Sequence, residues 1–199
     1  MKYSFSVILF AGLFCINSFA QTDIYTDSLK KFRERYVAEH ELIKGKEKDY
    51  LDFFPVNKSF CVSVKFEKVQ ESPWFKMETS GTLKKNYRVY GTFTFKINDT
   101  TLKLNIYQSK DLMGTAQYAK HLFIPFTDKT SGNESYENGR YIDLTTDEVE
   151  KPGFKLDFNK AYNPYCAYVS NVYNCPLPPP ENDLSVAIRA GEKKYRKMH

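Results

Sequence analysis

Residues 87–107 read YRVYGTFTFKINDTTLKLNIY. Tyr87, Val89, Phe93 and Phe95 stand at alternate positions, and Leu102, Leu104 and Ile106 repeat the pattern on the return. A period of two belongs to a strand with one buried face. Asn98-Asp99 between the runs is a turn signal, so the stretch is expected to be a hairpin. Gly91 interrupts the first run, where a bulge or bend is expected.

The same period extends to both sides. Val62, Val64 and Phe66 alternate with Ser63, Lys65 and Glu67, and Phe75 and Met77 form a second short run. Residues 122–126, 140–144, 154–158 and 184–190 read as further short strands. There is no strand–helix–strand rhythm and no internal repeat. The expected fold is mainly β: an antiparallel sandwich or barrel-like domain. Residues 22–43 read instead as one amphipathic helix, capped by Thr22 or Asp23, with Leu29, Phe32, Tyr36 and Ile43 on one side. Residues 159–183 show no period and hold five prolines and four tyrosines, forming a long irregular loop before the last strand. A loop of this length is functional or held down by side chains.

The chain has 199 residues, 29 basic and 24 acidic side chains, a net charge of +5, 42% hydrophobic residues and 4 cysteines. These values exclude a disordered chain, a collagen and a dense disulfide scaffold. Lys2, the apolar run from Val7 to Phe14 and Ser18-Phe19-Ala20 have the form of a signal peptide cleaved before Gln21. The expected organisation is a leader over 1–20, the helix and a connector over 21–50, and a β-rich domain over 51–199. An uncleaved anchor is the alternative. A lipoprotein would acylate Cys15, but Phe14 stands where a small residue is needed. Cleavage leaves 179 residues, a charge of +4 and three cysteines, with no later segment apolar enough to cross a membrane. The expected location is outside the cytosol, periplasmic or secreted.

Motifs of chemistry are few. The chain has 3 histidines, and no G-x-S-x-G, phosphate loop or dinucleotide fingerprint accompanies them. A histidine-dependent hydrolase would need His121. No cofactor is expected. Asp128, Thr130 and Glu134 have the spacing of calcium ligands, but Gly132 breaks the series, so no metal site is expected. The basic tail, Lys193, Lys194, Arg196 and Lys197, reads as a frayed terminus. Without a basic-aromatic face, no nucleic-acid partner is expected. Cys166 and Cys175 enclose eight residues. Three readings stand: a disulfide, two buried thiols, or a thiol activated by Arg140 or Arg189. Cys61 reads as a packing residue on a strand.

The C-terminal part carries a longer pattern: Leu122 to Asp128, Glu134-Ser135-Tyr136, Gly139 to Leu144, Leu156 to Asn159, Ala161 to Pro164, Cys166-Ala167-Tyr168, Cys175 to Pro179, Glu181-Asn182 and Ala190 to Lys193. Over residues 60–195 this order resembles the bacterial family designated domain of unknown function 1684. The resemblance implies a single β-rich, often exported domain and no particular reaction. It also implies that the two cysteines recur in members without a leader, which favours thiols or packing over a bridge.

Asp128, Glu134, Tyr136, Arg140, Asp157, Asn159, Tyr162, Asn163, Cys166, Glu181, Asn182 and Arg189 form the candidate ligand-binding cleft. Tyrosine faces flanked by amides and carboxylates suit sugars or small polar ligands. The same amides and ion pairs would equally serve an irregular loop by hydrogen-bonding its backbone. Three functions are therefore expected in turn. The first is binding of a small polar ligand or glycan. The second is a cell-envelope hydrolase or thiol-dependent enzyme, with Cys166 or the Asp128 and Glu134 carboxylates doing the chemistry. The third is a structural part of an envelope complex.

Overall fold

The structure is a computed structural model describing residues 16–197, with side chains from residue 24. The expected leader's Lys2, its apolar run and Cys15 lie outside the described residues. The chain forms two units, residues 1–39 and 40–199. The first contains helix α1 (Ile16–Glu39). Its backbone is already helical at Ile16, so neither Thr22 nor Asp23 starts it, and Ile43 lies beyond its end. At that end, the Ile43 N–H donates to His40 Nδ1 at 3.0 Å, and Gly45 takes a φ of +53°. No helix among the described residues is long and apolar enough to cross a membrane.

The second unit is built on one antiparallel sheet curled into a half-barrel. Its strands are β1 (Cys61–Lys68), β2 (Phe75–Met77), β3 (Lys85–Ile97), β4 (Thr100–Ser109), β5 (His121–Phe126), β6 (Arg140–Thr145) and β7 (Lys155–Asp157). The order across the sheet is β6-β5-β4-β3-β1-β7, with β2 beside β3. Short helices α2 (Lys110–Met113) and α3 (Thr146–Val149) follow β4 and β6. The expected hairpin is β3–β4, turning at Asn98, whose φ is +47°.

The interruption expected at Gly91 is a bulge, and it decides where the cores lie. Val89 pairs with Tyr107, but Gly91 pairs with Ile106, so Tyr90 is the extra residue. One inserted residue reverses which positions of β3 face which way. Phe93, Phe95 and Ile97 therefore join Leu102, Leu104, Ile106, Leu122, Ile124, Phe126 and Leu156 in the main core. Tyr87 and Val89 join Tyr107, Phe123, Tyr141 and Met77 in a second cluster on the opposite face. Gly91 is required here because a Cβ would stand 2.4 Å from the Phe66 ring and 2.9 Å from the Glu67 carbonyl oxygen.

Residues 184–190 form no strand. Leu184, Ile188 and Ala190 are nevertheless buried in the main core. The run is bonded at its start by the backbone of the segment after β5, with Leu184 N–H donating to the Thr127 carbonyl at 2.8 Å and the Val186 carbonyl accepting from Lys129 N–H at 3.1 Å, and farther on by side chains. The basic tail is not frayed within the described residues. Lys193 N–H donates to the Asp52 carbonyl at 2.9 Å, Arg196 N–H donates to the Tyr50 carbonyl at 3.3 Å, and Tyr195 is buried.

Burial raises the phenol pKa of Tyr87 and of Tyr107 to about 12. Both phenols are held neutral in the fold and ionise near 10 in the unfolded chain. The unfolded state thus loses protons first, and stability falls as pH rises from about 10 to about 12. Urea midpoints are expected to be flat up to that window and to drop within it. Replacing both residues by Phe should lessen the drop without abolishing it, because burial raises the Tyr141 and Tyr165 phenols as well, and an unchanged drop would assign it to those other groups.

Candidate functional site

The twelve cleft candidates are distributed over several separate clasps, most of them holding the C-terminal segment. Arg140, fully buried at the start of β6, makes the central one. Its Nη2 donates to Asp128 Oδ2 at 2.8 Å and to the Ile188 carbonyl at 2.8 Å. Its Nη1 donates to the Ala190 carbonyl at 2.5 Å and to the Glu192 carbonyl at 3.1 Å. The other Asp128 oxygen accepts from the N–H groups of Thr130, at 2.8 Å, and Ile188, at 3.0 Å. Carbonyls 188, 190 and 192 all turn toward this one guanidinium, which does for them the work of a partner strand. Burial lowers the Arg140 pKa, and Asp128 opposes that shift by raising it.

Asn182 performs a similar task between β4 and β5. Pro125 has no N–H to continue the ladder. The Asn182 side chain fills the gap, accepting from Asn105 N–H at 2.8 Å and donating to the carbonyls of Asn105 and Pro125 at 2.9 and 2.7 Å. Asn159 accepts from Asn57 N–H at 2.9 Å and donates to the Asn57 carbonyl and to Asp157. Asn163 donates through its backbone N–H to Glu192 Oε2 at 2.8 Å and through Nδ2 to the Lys193 carbonyl at 2.7 Å. The other Glu192 oxygen accepts from Tyr168 Oη at 2.7 Å.

On the surface, Arg189 and Glu134 pair at 2.9 Å. Tyr136 is buried, and its hydroxyl accepts from Asn138 at 3.1 Å. Glu181 is exposed. Cys166 and Cys175 are joined in a disulfide, so Cys166 holds no thiol with which to act as a nucleophile. Ser80 ties this loop to the turn after β2: its N–H donates to the Cys175 carbonyl at 2.9 Å, and its hydroxyl accepts from Cys175 N–H at 3.1 Å. Cys61 lies half-buried at the start of β1, outside the disulfide. Asp128 is bound to Arg140 and so is not a ligand waiting for a cation. Among the described residues, no cluster of His, Cys, Asp and Glu could hold a metal ion.

A different surface keeps its polar capacity. Tyr162, the one cleft candidate that belongs to it, donates from Oη to Asp143 Oδ2 at 2.7 Å. Asp143 Oδ1 meets His121 Nε2 at 3.1 Å, and the Asp143 side chain is 48% exposed. With Asp143 accepting from Nε2–H, the imidazole lone pair lies on Nδ1, a buried atom with no hydrogen-bond partner. The Tyr118 ring stands edge-on to His121, with centroids 6.1 Å apart. Beyond it, Tyr165 and Tyr173 meet at 5.2 Å. Burial, its hydrogen bond to Glu41 and the phenols of Tyr173 and Tyr118 push the Tyr165 pKa up to about 12. Tyr118 and Tyr165 are 43% and 37% exposed.

Asp143 is absent from the sequence-derived set. Its signal was positional: His121 and Asp143 occupy odd positions of two strands whose even positions 122, 124, 126, 142 and 144 are apolar, which places them on the face away from the main core.

The family model described as a protein of unknown function, DUF1684, matches residues 47–193. The chain belongs to this family. A solved relative shares the fold: the solution NMR structure of an uncharacterized protein from gene locus rrnAC0354 of Haloarcula marismortui. It is 31% identical with a TM-score of 0.66, and the match covers 90% of this chain and 99% of that one. Its archaeal source puts the fold beyond the bacteria. No curated protein matches the chain significantly. The matched span takes in every strand and each clasp described above.

Because Arg140 is wholly enclosed, its loss acts on folding before it acts on any ligand. Arg140→Met leaves Asp128 charged and unpaired, with an expected cost of about 3–5 kcal/mol. Adding Asp128→Leu should restore part of that. Denaturant unfolding checks both variants, and hydrogen exchange at the Ile188 amide should report the loosened segment. An Arg140→Met midpoint equal to the parent's would remove this clasp from the account.

Proposed function

We propose that this is an exported domain that binds a small polar ligand or glycan, at the surface formed by Tyr118, His121, Asp143, Tyr162 and Tyr165. The observation that carries the reading is an exposed carboxylate, Asp143, that is held by Tyr162 and His121, retains unused acceptor capacity, and has the half-exposed Tyr118 ring edge-on to its imidazole partner. Tyrosine faces pack against the C–H faces of a sugar, while an oriented carboxylate accepts from its hydroxyls. Asp143 has two oxygens and two protein partners, so lone pairs remain for a ligand. A periplasmic or secreted location is supported by the leader pattern and by the Cys166–Cys175 disulfide, since such bonds persist in oxidising compartments.

A second reading is an envelope hydrolase, favoured by the carboxylate-held His121. In that case the exposed Asp143 carboxylate would act as the general base toward a bound water, with His121 orienting it, because the imidazole's own lone pair is buried on Nδ1. The variants that separate the readings are Asp143→Asn and His121→Ala.

Nuclear magnetic resonance titration with N-acetylglucosamine and maltose oligomers is expected to shift the Tyr118, His121 and Tyr165 resonances. Asp143→Asn should weaken that binding at least tenfold with little change in melting temperature. A panel that moves none of these resonances overturns the binding reading, and turnover of a chromogenic ester or glycoside that is lost in His121→Ala would favour the hydrolase. On the compartment, protein exported into a periplasm and purified without reductant should titrate a single thiol, Cys61. Three thiols would withdraw the support the disulfide gives.

A further inference from the structure

On the strands that carry the main core, the residues facing away from it form a regular pattern. Lys65 pairs with Thr94, and Thr94 with Lys103, making one row across β1, β3 and β4. Ser63 pairs with Lys155, and Lys96 with Thr101. Because Val64 pairs with Phe95, the register brings Ser63 beside Lys96, and the second row reads Lys155, Ser63, Lys96, Thr101. Both rows alternate ammonium and hydroxyl groups. Strands about 4.8 Å apart set the lysines of a row about 10 Å from one another. A shallow groove of about 460 Å³, lined by Ser63, Thr94, Lys96 and Thr101 among others, lies along the second row.

Apart from Lys65, these groups make no side-chain bond of their own among the described residues. Among the described residues, the side chains of Ser63, Thr94, Lys96, Thr101, Lys103 and Lys155 make no hydrogen bond or ion pair, whereas Lys68, Lys84, Lys120, Lys193 and Lys197 are all paired. Two acids share the face. Glu67 is held by Lys65 at 2.8 Å, and Asp157 accepts from Asn159, so the centre of the face is left cationic.

We propose that this face is a second binding surface, distinct from the aromatic one, for a linear acidic polysaccharide bearing carboxylate, sulfate or phosphate groups. Ammonium groups at a regular spacing match charges repeating along a chain, and the hydroxyls between them match sugar oxygens. Among the described residues the aromatic side chain that lines the groove, Phe95, is buried and offers no face on which a base would stack, which disfavours nucleic acid. Among the described residues, no exposed large hydrophobic side chain lies within the two rows, which disfavours lipid.

The test uses the full mature protein with alginate and heparin as probes. Binding to at least one is expected at low salt and should weaken as salt rises, because exposed charges are screened. The variant Lys96→Gln/Lys103→Gln/Lys155→Gln should bind at least tenfold more weakly at an unchanged melting temperature. A control with the same charge change at exposed lysines elsewhere, Lys76→Gln/Lys110→Gln/Lys129→Gln, should bind within about twofold of the parent. Asp143→Asn should leave alginate and heparin binding unchanged, which separates this surface from the aromatic one. Equal losses in the two triple variants would mean that only net charge matters and would overturn the proposal. Failure to bind either polymer, or binding only to phosphatidylglycerol vesicles, would overturn it as well.

Discussion

Arg140 must remain in the interior with its charge, and the rest of the C-terminal half is arranged around that constraint. A guanidinium out of water is tolerated only with a counter-ion and a nearly complete set of acceptors. Asp128 supplies the first, and three alternating carbonyls of residues 188–192 supply most of the second. The pair therefore fixes where the last segment runs. That segment in turn brings Leu184, Ile188 and Ala190 into the main core and carries Glu192 to the Asn163 backbone. If the ion pair were lost, these later contacts would have no common anchor.

Asn182, Asn159 and Glu192 extend the same principle. Each side chain takes the hydrogen-bonding role that a neighbouring strand would otherwise fill. This is how a half-barrel whose C-terminal part forms no further strand among the described residues keeps its backbone polar groups satisfied. It also explains why the strongest sequence pattern in the chain is made of amides and charges. That pattern marks a framework of clasps, with Tyr162 as its one link to the surface that keeps free acceptors.

Much of the fold was legible because β1, β3 and β4 keep a period of two over most of their length, while β5, buried on both faces, reads as a short continuous apolar run. The run from Leu184 to Ala190 has the same period for a different reason. It is half-buried and bonded by the backbone of Thr127 and Lys129 at one end and by Arg140 and Asp128 at the other, and alternation cannot distinguish a ladder from such a mixed support. The helix start was misplaced because Thr22 and Asp23 are good capping residues at positions that the helix passes straight through. The polar cluster was legible as residues but not as a role: nothing in the spacing of Asp128 and Arg140 tells whether the two meet each other or a ligand. His121 and Asp143 meet only through the register of β5 on β6, which a single sequence does not disclose.

The bulge at Tyr90 has a consequence for how this chain can change over time. It acts as a phase shift, and everything on its two sides was chosen in opposite phase. Loss or gain of one residue within β3 would turn Tyr87 and Val89 toward the main core or Phe93 and Phe95 away from it, so one cluster or the other would lose its β3 residues. A length change at the Asn98-Asp99 tip would disturb neither phase. The middle of the hairpin is therefore a fixed measure in the chain, and variation in length is confined to its ends.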